Sequence, residues 1–436
     1  MKRFIVLSFS LVWVAIQLAS GQADVRIIKK DFKLGKEGFK EAWDHVVKGD
    51  ESYELGGGLY PEALGHYLEA LKYNDANPAL NYKTGVSSLY GNSPEKALDY
   101  FLAAVEADAA IAPDIMLLTG LAYQARGDWG MALDCFNIYS DLTVESGEMD
   151  TRVNRYIREC NNAIDMSARK NEAQIINLGV AVNTEYDDYA PVTTLDNTIL
   201  YFTSRRGVGE GSERNRSDMK FDENIYISTS TGGEWNVSGI AGKTLATELN
   251  EGVLQVNDDN SVMYVYSGWS GSGDIFVTRY NKGKWGEPVP VSGAINSQSR
   301  ETSFCETRST DERFFTSDRK KGGVGGRDIW YSRRIKKEKW TKPFNLGPVV
   351  NSQGNEESVW VSATGDTLWF SSNGHEGAGG YDIFVTYRDG VGNWSQPENL
   401  GMPVNSQWDD LFYRPARNRE RMAHLYLEQT RWERWS

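Results

Sequence analysis

The hydrophobic positions of this chain change their period twice. Residues 4–18 form an almost unbroken apolar run behind Met1-Lys2-Arg3 and ahead of Ala19-Ser20-Gly21, the layout of a secretory signal segment that ends at Gly21. From about Gly38 to Lys170 apolar residues recur every three or four positions, which predicts amphipathic helices. Beyond Gln174 the pattern becomes short alternating runs rich in aromatic and β-branched residues, which predicts strands. The reading divides the chain into a signal peptide (1–21), helical repeats (36–170) and a β-domain (174–436).

Both long regions repeat. In the helical one, Ala63, Ala97 and Ala132 are spaced 34 and 35 residues apart, Tyr67, Phe101 and Phe136 follow four positions later, and Gly85 and Gly120 lie twelve before the last two alanines. Small residues that admit a close helix approach, beside an aromatic that fills the gap, predict three helix pairs. Pro61 is expected in a first turn, Ser93 as an N-cap, and a last helix from about Asp150 to Ser167 as the end of the stack.

In the β-region, Asp274, Asp328 and Asp382 are spaced 54 and 54 residues apart, and Trp285, Trp340 and Trp394 are spaced 55 and 54 apart, each opening a Trp-x-x-Pro step. One copy reads as four strands: Glu357-Ser-Val-Trp-Val-Ser, Asp366-Thr-Leu-Trp-Phe-Ser-Ser, Tyr381-Asp-Ile-Phe-Val-Thr-Tyr and a short edge, Asn393-Trp-Ser-Gln-Pro. The connecting Asn345-Leu-Gly-Pro-Val-Val-Asn-Ser-Gln returns at Asn399 and, before the first blade, at Asn177, with a looser copy at Val291. A period of this size with four strands per copy predicts a β-propeller with one aromatic-rich sheet per blade. Four blades are complete. Asp409-Asp410-Leu411-Phe412-Tyr413 begins a fifth that does not continue in the pattern after Arg414, so the reading expects a truncated or frame-shifted end near Pro415. Ring closure is expected from the Gln174–Val182 segment meeting the C-terminal one.

These motifs resemble tetratricopeptide repeats followed by the WD40-like repeats of TolB-type propellers, the second most clearly at Trp369–Val385. The order of signal, helices and propeller is similar to that of PorE-like envelope proteins of the Bacteroidetes. Their usual closing OmpA-like domain has no counterpart here. The resemblance implies a periplasmic or outer-membrane-associated scaffold for envelope or secretion-system proteins, with type IX secretion as one setting.

The formal charge of −13 disfavours nucleic acid as a partner, and no run after residue 18 approaches the roughly 20 apolar residues of a membrane span. The three cysteines, Cys135, Cys160 and Cys305, are expected to be buried hydrophobes, with a Cys135–Cys160 bridge as the alternative. The Gly322–Asp328 loop reads as a turn needing positive φ rather than a phosphate cradle, because a strand and not a helix follows it. The repeated aspartates read as turn caps rather than metal ligands, and Asp258-Asp259-Asn260 as a turn. Gly268-Trp-Ser-Gly-Ser-Gly falls short of a nucleophile elbow, and His45, His66, His375 and His424 form no triad or zinc pattern. The chain is therefore expected to be a non-enzyme without cofactor, its contact residues on the inner helices: Tyr82, Ser88, Tyr123 and Arg126. A propeller that binds a small ligand or glycan, with possible hydrolase activity, is the alternative function.

Overall fold

The structure is a computed structural model that describes residues 23–145, 150–169, 173–209, 211–215, 218–269, 273–337 and 339–415. The signal segment, His424 and the chain after Pro415 lie outside the described residues, as do Ser270–Ser272 of the Gly268 motif. The chain divides into two compact units, one up to Ile157 and one from Arg158 onward.

The described helices are α1 (Lys29–Phe32), α2 (Phe39–Leu55), α3 (Tyr60–Leu71), α4 (Pro78–Leu89), α5 (Ala97–Ala107), α6 (Ile115–Ala125), α7 (Trp129–Glu145) and α8 (Thr151–Ser167). Helices α2 to α7 form the three expected antiparallel pairs, and α2, α4 and α6 lie side by side as the inner layer. Ala63, Ala97 and Ala132 are fully buried, as are Tyr67, Phe101 and Phe136. A Cβ on Gly85 would stand 2.6 Å from the Phe101 ring, and one on Gly120 would stand 2.5 Å from the Phe136 ring. Gly49 has the same relation to Tyr67, at 2.6 Å, although its spacing hides it. Each inner helix thus gives up a side chain so that the aromatic of its partner can lie against its backbone.

Pro61 sits in the first turn of α3, where its missing N–H leaves no bond unmade. Ser93 is not the cap expected of it: its side chain caps nothing, and its carbonyl accepts from Ser88 Oγ at 2.6 Å. The working cap is Asn77, which accepts from Leu80 N at 2.9 Å.

The second unit is a β-propeller of four described sheets. In each, an inner, a second and a third strand run antiparallel: Asp188–Thr193, Ile199–Ser204 and Asn224–Thr231 in blade 1; Asn250–Val256, Val262–Gly268 and Asp274–Asn281 in blade 2; Glu301–Glu306, Glu312–Ser317 and Asp328–Lys336 in blade 3; Glu356–Val361, Thr367–Ser372 and Asp382–Tyr387 in blade 4. The outer edge of each sheet is reduced to two-residue pieces; in blades 2 to 4 a Trp-x-x-Pro step, whose proline cannot donate, lies in this edge. The inner strands of successive blades are neighbours.

The tryptophans fill the gaps between blades. Trp285 is buried and meets Tyr201 of blade 1 edge-on, and Trp394 meets Phe314 of blade 3 in the same way. Half-buried Trp340 lies under the Arg313 guanidinium, 3.7 Å from it. Cys135, Cys160 and Cys305 are free and buried, so the alternative Cys135–Cys160 bridge is absent, and burial pushes each thiol up to about 12.

Candidate interaction surfaces

Blade joins blade through a repeated polar link at the end where the inner strands begin. The N–H of Glu251, Glu301, Glu356 and Asp410 donates to the carbonyl of Glu223, Gly273, Arg327 and Tyr381, the residue ahead of the third strand in the preceding blade. The carboxylates of these acids and of Asp188 turn inward and accept from a Ser or Thr four positions earlier, as from Ser297 Oγ to Glu301 at 2.9 Å and from Ser352 Oγ to Glu356 at 2.5 Å. All five acids are buried. Arg206 and Arg319 pair with Asp188 and Glu301. Among the described residues Glu251 and Glu356 have no such arginine, and burial pushes both carboxyls up to about 7.

A second link clamps each sheet to the connector that follows it. Asn351 accepts from Ile329 N at 2.8 Å and donates to Ile329 O at 3.1 Å, and Asn405 does the same to Ile383 at 2.7 and 3.0 Å. Asn296 repeats this on Ile275.

The repeated aspartates are turn caps where their loops are described. Asp328 accepts from Val324 N and Gly325 N, and Asp382 from Ala378 N and Gly379 N. Burial pushes Asp382 up to about 6. The loop that would cap Asp274 lies among the residues outside the description. Gly322 has the expected positive φ, +86°. Gly325 and Gly379 do not, and the reason for glycine there is steric: a Cβ would collide with the backbone carbonyls of Ser352 and Trp408 in the next blade's approach segment. His375 is also structural, with Nε2 2.8 Å from Val350 O and its ring against Phe370 and Phe384, where Arg319 in blade 3 reaches Ile295 O and covers Phe315 and Trp330.

The Gln174–Val182 segment expected at ring closure packs in blade 1, and the C-terminal chain after Pro415 lies outside the described residues. Val182 is buried in the core of blade 1 beside Leu200 and Phe202, so its segment is part of that blade. The contact with the C-terminal segment is made by Tyr189, whose ring stacks on Phe412 at 5.4 Å. Phe412 shares the left-handed φ of Ala190 and Ser358, at the same place two residues after the acid, so the fifth inner segment repeats the local backbone of blades 1 and 4.

At this same end of the propeller, Arg327 pairs with Glu357, which accepts from Thr302 Oγ1 at 2.6 Å. The field of Glu357 raises Arg327, with smaller contributions from Tyr381 and Tyr266. Arg327 and Thr302 of blade 3 thus meet Glu357 of blade 4 at this end. At the opposite end, between blades 1 and 2, a depression of about 480 Å³ is lined by turn residues such as Asp196 and Asp259. Asp196 is engaged with Thr194 and Thr198, and Asp259 with Ser261. The turn expected at Asp258–Asn260 is present.

In the helical unit, two of the four expected contact residues are inside. Tyr82 is fully buried and donates to both oxygens of Asp114, at 2.9 and 3.1 Å; Ser88 is buried in its bond to Ser93 O. Neither is exposed in this structure. Tyr123 is half-buried, and Arg126 turns toward the preceding outer helix, pairing with Asp99 at 2.8 Å and donating to Glu95 O at 2.6 Å. What the inner layer presents instead is Lys83, paired with Asp50 at 2.7 Å and held over the Tyr53 ring, and Asp114 at the start of α6. Burial raises the Asp114 carboxyl, opposed by its bond from Tyr82. The repeat pattern gives no hint of Asp50 or Asp114, because neither recurs in the other pairs.

The inner layer is covered. Every residue from Ala79 to Leu89 is buried. An N-terminal arm, residues 23–28, makes a tight turn at its start, where Val25 N donates to Ala23 O at 2.9 Å; it alternates Asp24 out, Val25 in, Arg26 out, Ile27 in and Ile28 out, and Ala23 N stands 3.5 Å from Asp114 Oδ2.

No protein-family model matches the chain, and no curated protein is similar to it. Among solved structures, 28% of the chain is similar to the whole of an Arabidopsis OM64 TPR domain (96% covered, 17% identity, TM-score 0.25). A further 53% is similar to a putative TolB from Agrobacterium tumefaciens (88% covered, 16% identity, TM-score 0.30). Another likeness, over 52% of the chain, is to 79% of a glycoside hydrolase at 8% identity and a TM-score of 0.38. The fold assignment itself rests on the helix pairs and sheets described above.

Proposed function

We propose that this chain is a non-catalytic interaction scaffold of the bacterial envelope, exported and held at the periplasmic or outer-membrane side, and that it organises envelope or secretion-system proteins, type IX secretion being one setting. The observation that carries this reading is the N-terminal arm, which runs from its Phe32 anchor to Asp114 at the start of α6 with alternate apolar side chains, Val25 and Ile27, buried. The propeller adds structural ties to this reading: the backbone N–H groups of its inner-strand acids link blade to blade, and its asparagines hold each sheet to its connector. The Bacteroidetes setting rests on the sequence resemblance alone.

The test is affinity capture of the tagged chain from crosslinked envelope fractions, with a chain carrying Asp substitutions on the inner helical layer as control. Recovery of one defined envelope protein by the first and not the second supports the scaffold. Recovery of none, with hydrolysis of a glycan panel by the pure protein, overturns it in favour of the second reading. That reading, a small-ligand or glycan site at this end of the propeller, is favoured by the Arg327–Glu357 pair between blades 3 and 4.

A further inference from the structure

The N-terminal arm has the features of a ligand rather than of a structural element. Residues 23–28 belong to no helix or sheet. The outward face is solvated, with Asp24 and Arg26 paired to each other at 2.8 Å and exposed by 73 and 80%. Its inward face is two β-branched side chains, Val25 and Ile27, each 7% exposed. The arm reaches across the inner layer. Its hydrogen bond with Arg26 lowers the Asp24 carboxyl, and Lys83 of α4 adds a smaller attraction, while Ala23 N approaches Asp114 at the head of α6.

The attachment of the arm is separate from the arm itself. Phe32, fully buried, packs on Phe39, Trp43 and Tyr73, and its carbonyl accepts from Asn74 Nδ2 at 2.8 Å. The chain is therefore anchored at α1, and residues 23–28 extend from that anchor as a tether. A tethered segment competes with any ligand in trans at a high effective concentration, on the order of millimolar for a short linker.

We infer that residues 23–28 fill in cis a peptide site on the inner face of α4 and α6, and that this site accepts in trans an extended peptide carrying two β-branched apolar residues at alternate positions. This inference rests on the scaffold reading and gives it a gate: a partner must displace the arm. Charges on the partner's outer face do not select it, because Asp24 and Arg26 satisfy each other in water.

The test uses the full chain and a fluorescein-labelled peptide of sequence Ala-Asp-Val-Arg-Ile-Ile-Lys-Lys, with a control peptide in which the Val and the first Ile are Asp. Two chains vacate the site: one carries Val25→Asp with Ile27→Asp, and the other has residues 23–28 replaced by a Gly-Ser run of equal length, both keeping the Phe32 anchor. Fluorescence anisotropy is expected to give at least tenfold tighter binding of the labelled peptide to both vacated chains than to the intact one, and no binding of the control peptide. Equal affinity for intact and vacated chains would overturn the gate. Absence of binding to vacated chains whose far-UV circular dichroism is unchanged would overturn the site. Loss of the helical signal in both vacated chains would show the arm to be core, and overturn both. None of these measurements uses an envelope partner, so the scaffold reading stands or falls separately: a partner captured through the propeller survives the failure of this inference.

Discussion

The two repeating regions of this chain join their units by opposite means. In the helical array the joint is side chain against backbone: Phe101 on Gly85, Phe136 on Gly120, and Tyr67 on Gly49, within each pair. In the propeller the joint is a hydrogen bond from the head of one inner strand to the third strand of the blade before, at Glu251, Glu301, Glu356 and Asp410, with a buried carboxylate behind it. Close packing is indifferent to pH and punishes a change of volume. A buried carboxylate tolerates little change in protonation. The difference separates the two halves by the perturbations to which they respond.

The largest expected effect is in the array. Phe136→Ala removes the ring that lies on Gly120 and should cost about 3–5 kcal/mol, read by urea unfolding under far-UV circular dichroism. A loss below about 1 kcal/mol would mean that the helices close over the gap and that the contrast is overstated.

Next is the pH response of the propeller. Glu356 has its carboxyl pushed up to about 7, above the ordinary value of 4.5 that it regains on unfolding. The folded state then binds more protons than the unfolded one between those values, so propeller stability rises as pH falls from about 8 toward 4.5. Glu356→Gln, which mimics the protonated form, should flatten this dependence by on the order of 2–3 kcal/mol in tryptophan-monitored unfolding. A pH slope identical in the variant would remove Glu356 as its source. Helical unfolding measured in parallel should keep its own slope in the variant.

A smaller effect is expected from Asn351→Ala, which strands the N–H of buried Ile329, its carbonyl keeping the bond from Leu346 N, and should cost about 1–3 kcal/mol. An unchanged transition would imply that water replaces the clamp. The smallest is Arg126→Ala, whose pair with the largely exposed Asp99 should be worth about 0–1 kcal/mol. A larger loss by the same urea titration would give Arg126 a structural weight that its exposure does not suggest.

The parts legible in the sequence were those in which one residue type recurs at a fixed interval. Ala63, Ala97 and Ala132 announce the helix pairs, and Trp285, Trp340 and Trp394 the blades, because a volume requirement admits few substitutes. Gly49 escaped because a longer connection shifts its spacing from Ala63. The inward acids escaped for a different reason. Asp188, Glu251, Glu301, Glu356 and Asp410 lie at intervals of 63, 50, 55 and 54, and either acid serves, so neither identity nor period flags them. A Ser or Thr four residues before an acid was the signal that could have found them. The misplacement of Tyr82 and Ser88 has a plain cause: helical periodicity tells which face is apolar, not which polar groups find partners inside, as Tyr82 does at Asp114 and Ser88 at the Ser93 carbonyl.

Period and residue volume, both properties of the linear chain, by themselves determined that helix pairs precede a radial array of aromatic sheets. Tertiary structure alone decided which polar groups are internal, that Phe412 stacks on Tyr189, and that Val25 and Ile27 of the N-terminal arm are buried. Those outcomes depend on segments far apart in sequence meeting in one place, where the cost of burying a charge or an unpaired N–H is settled by partners that no local pattern encodes.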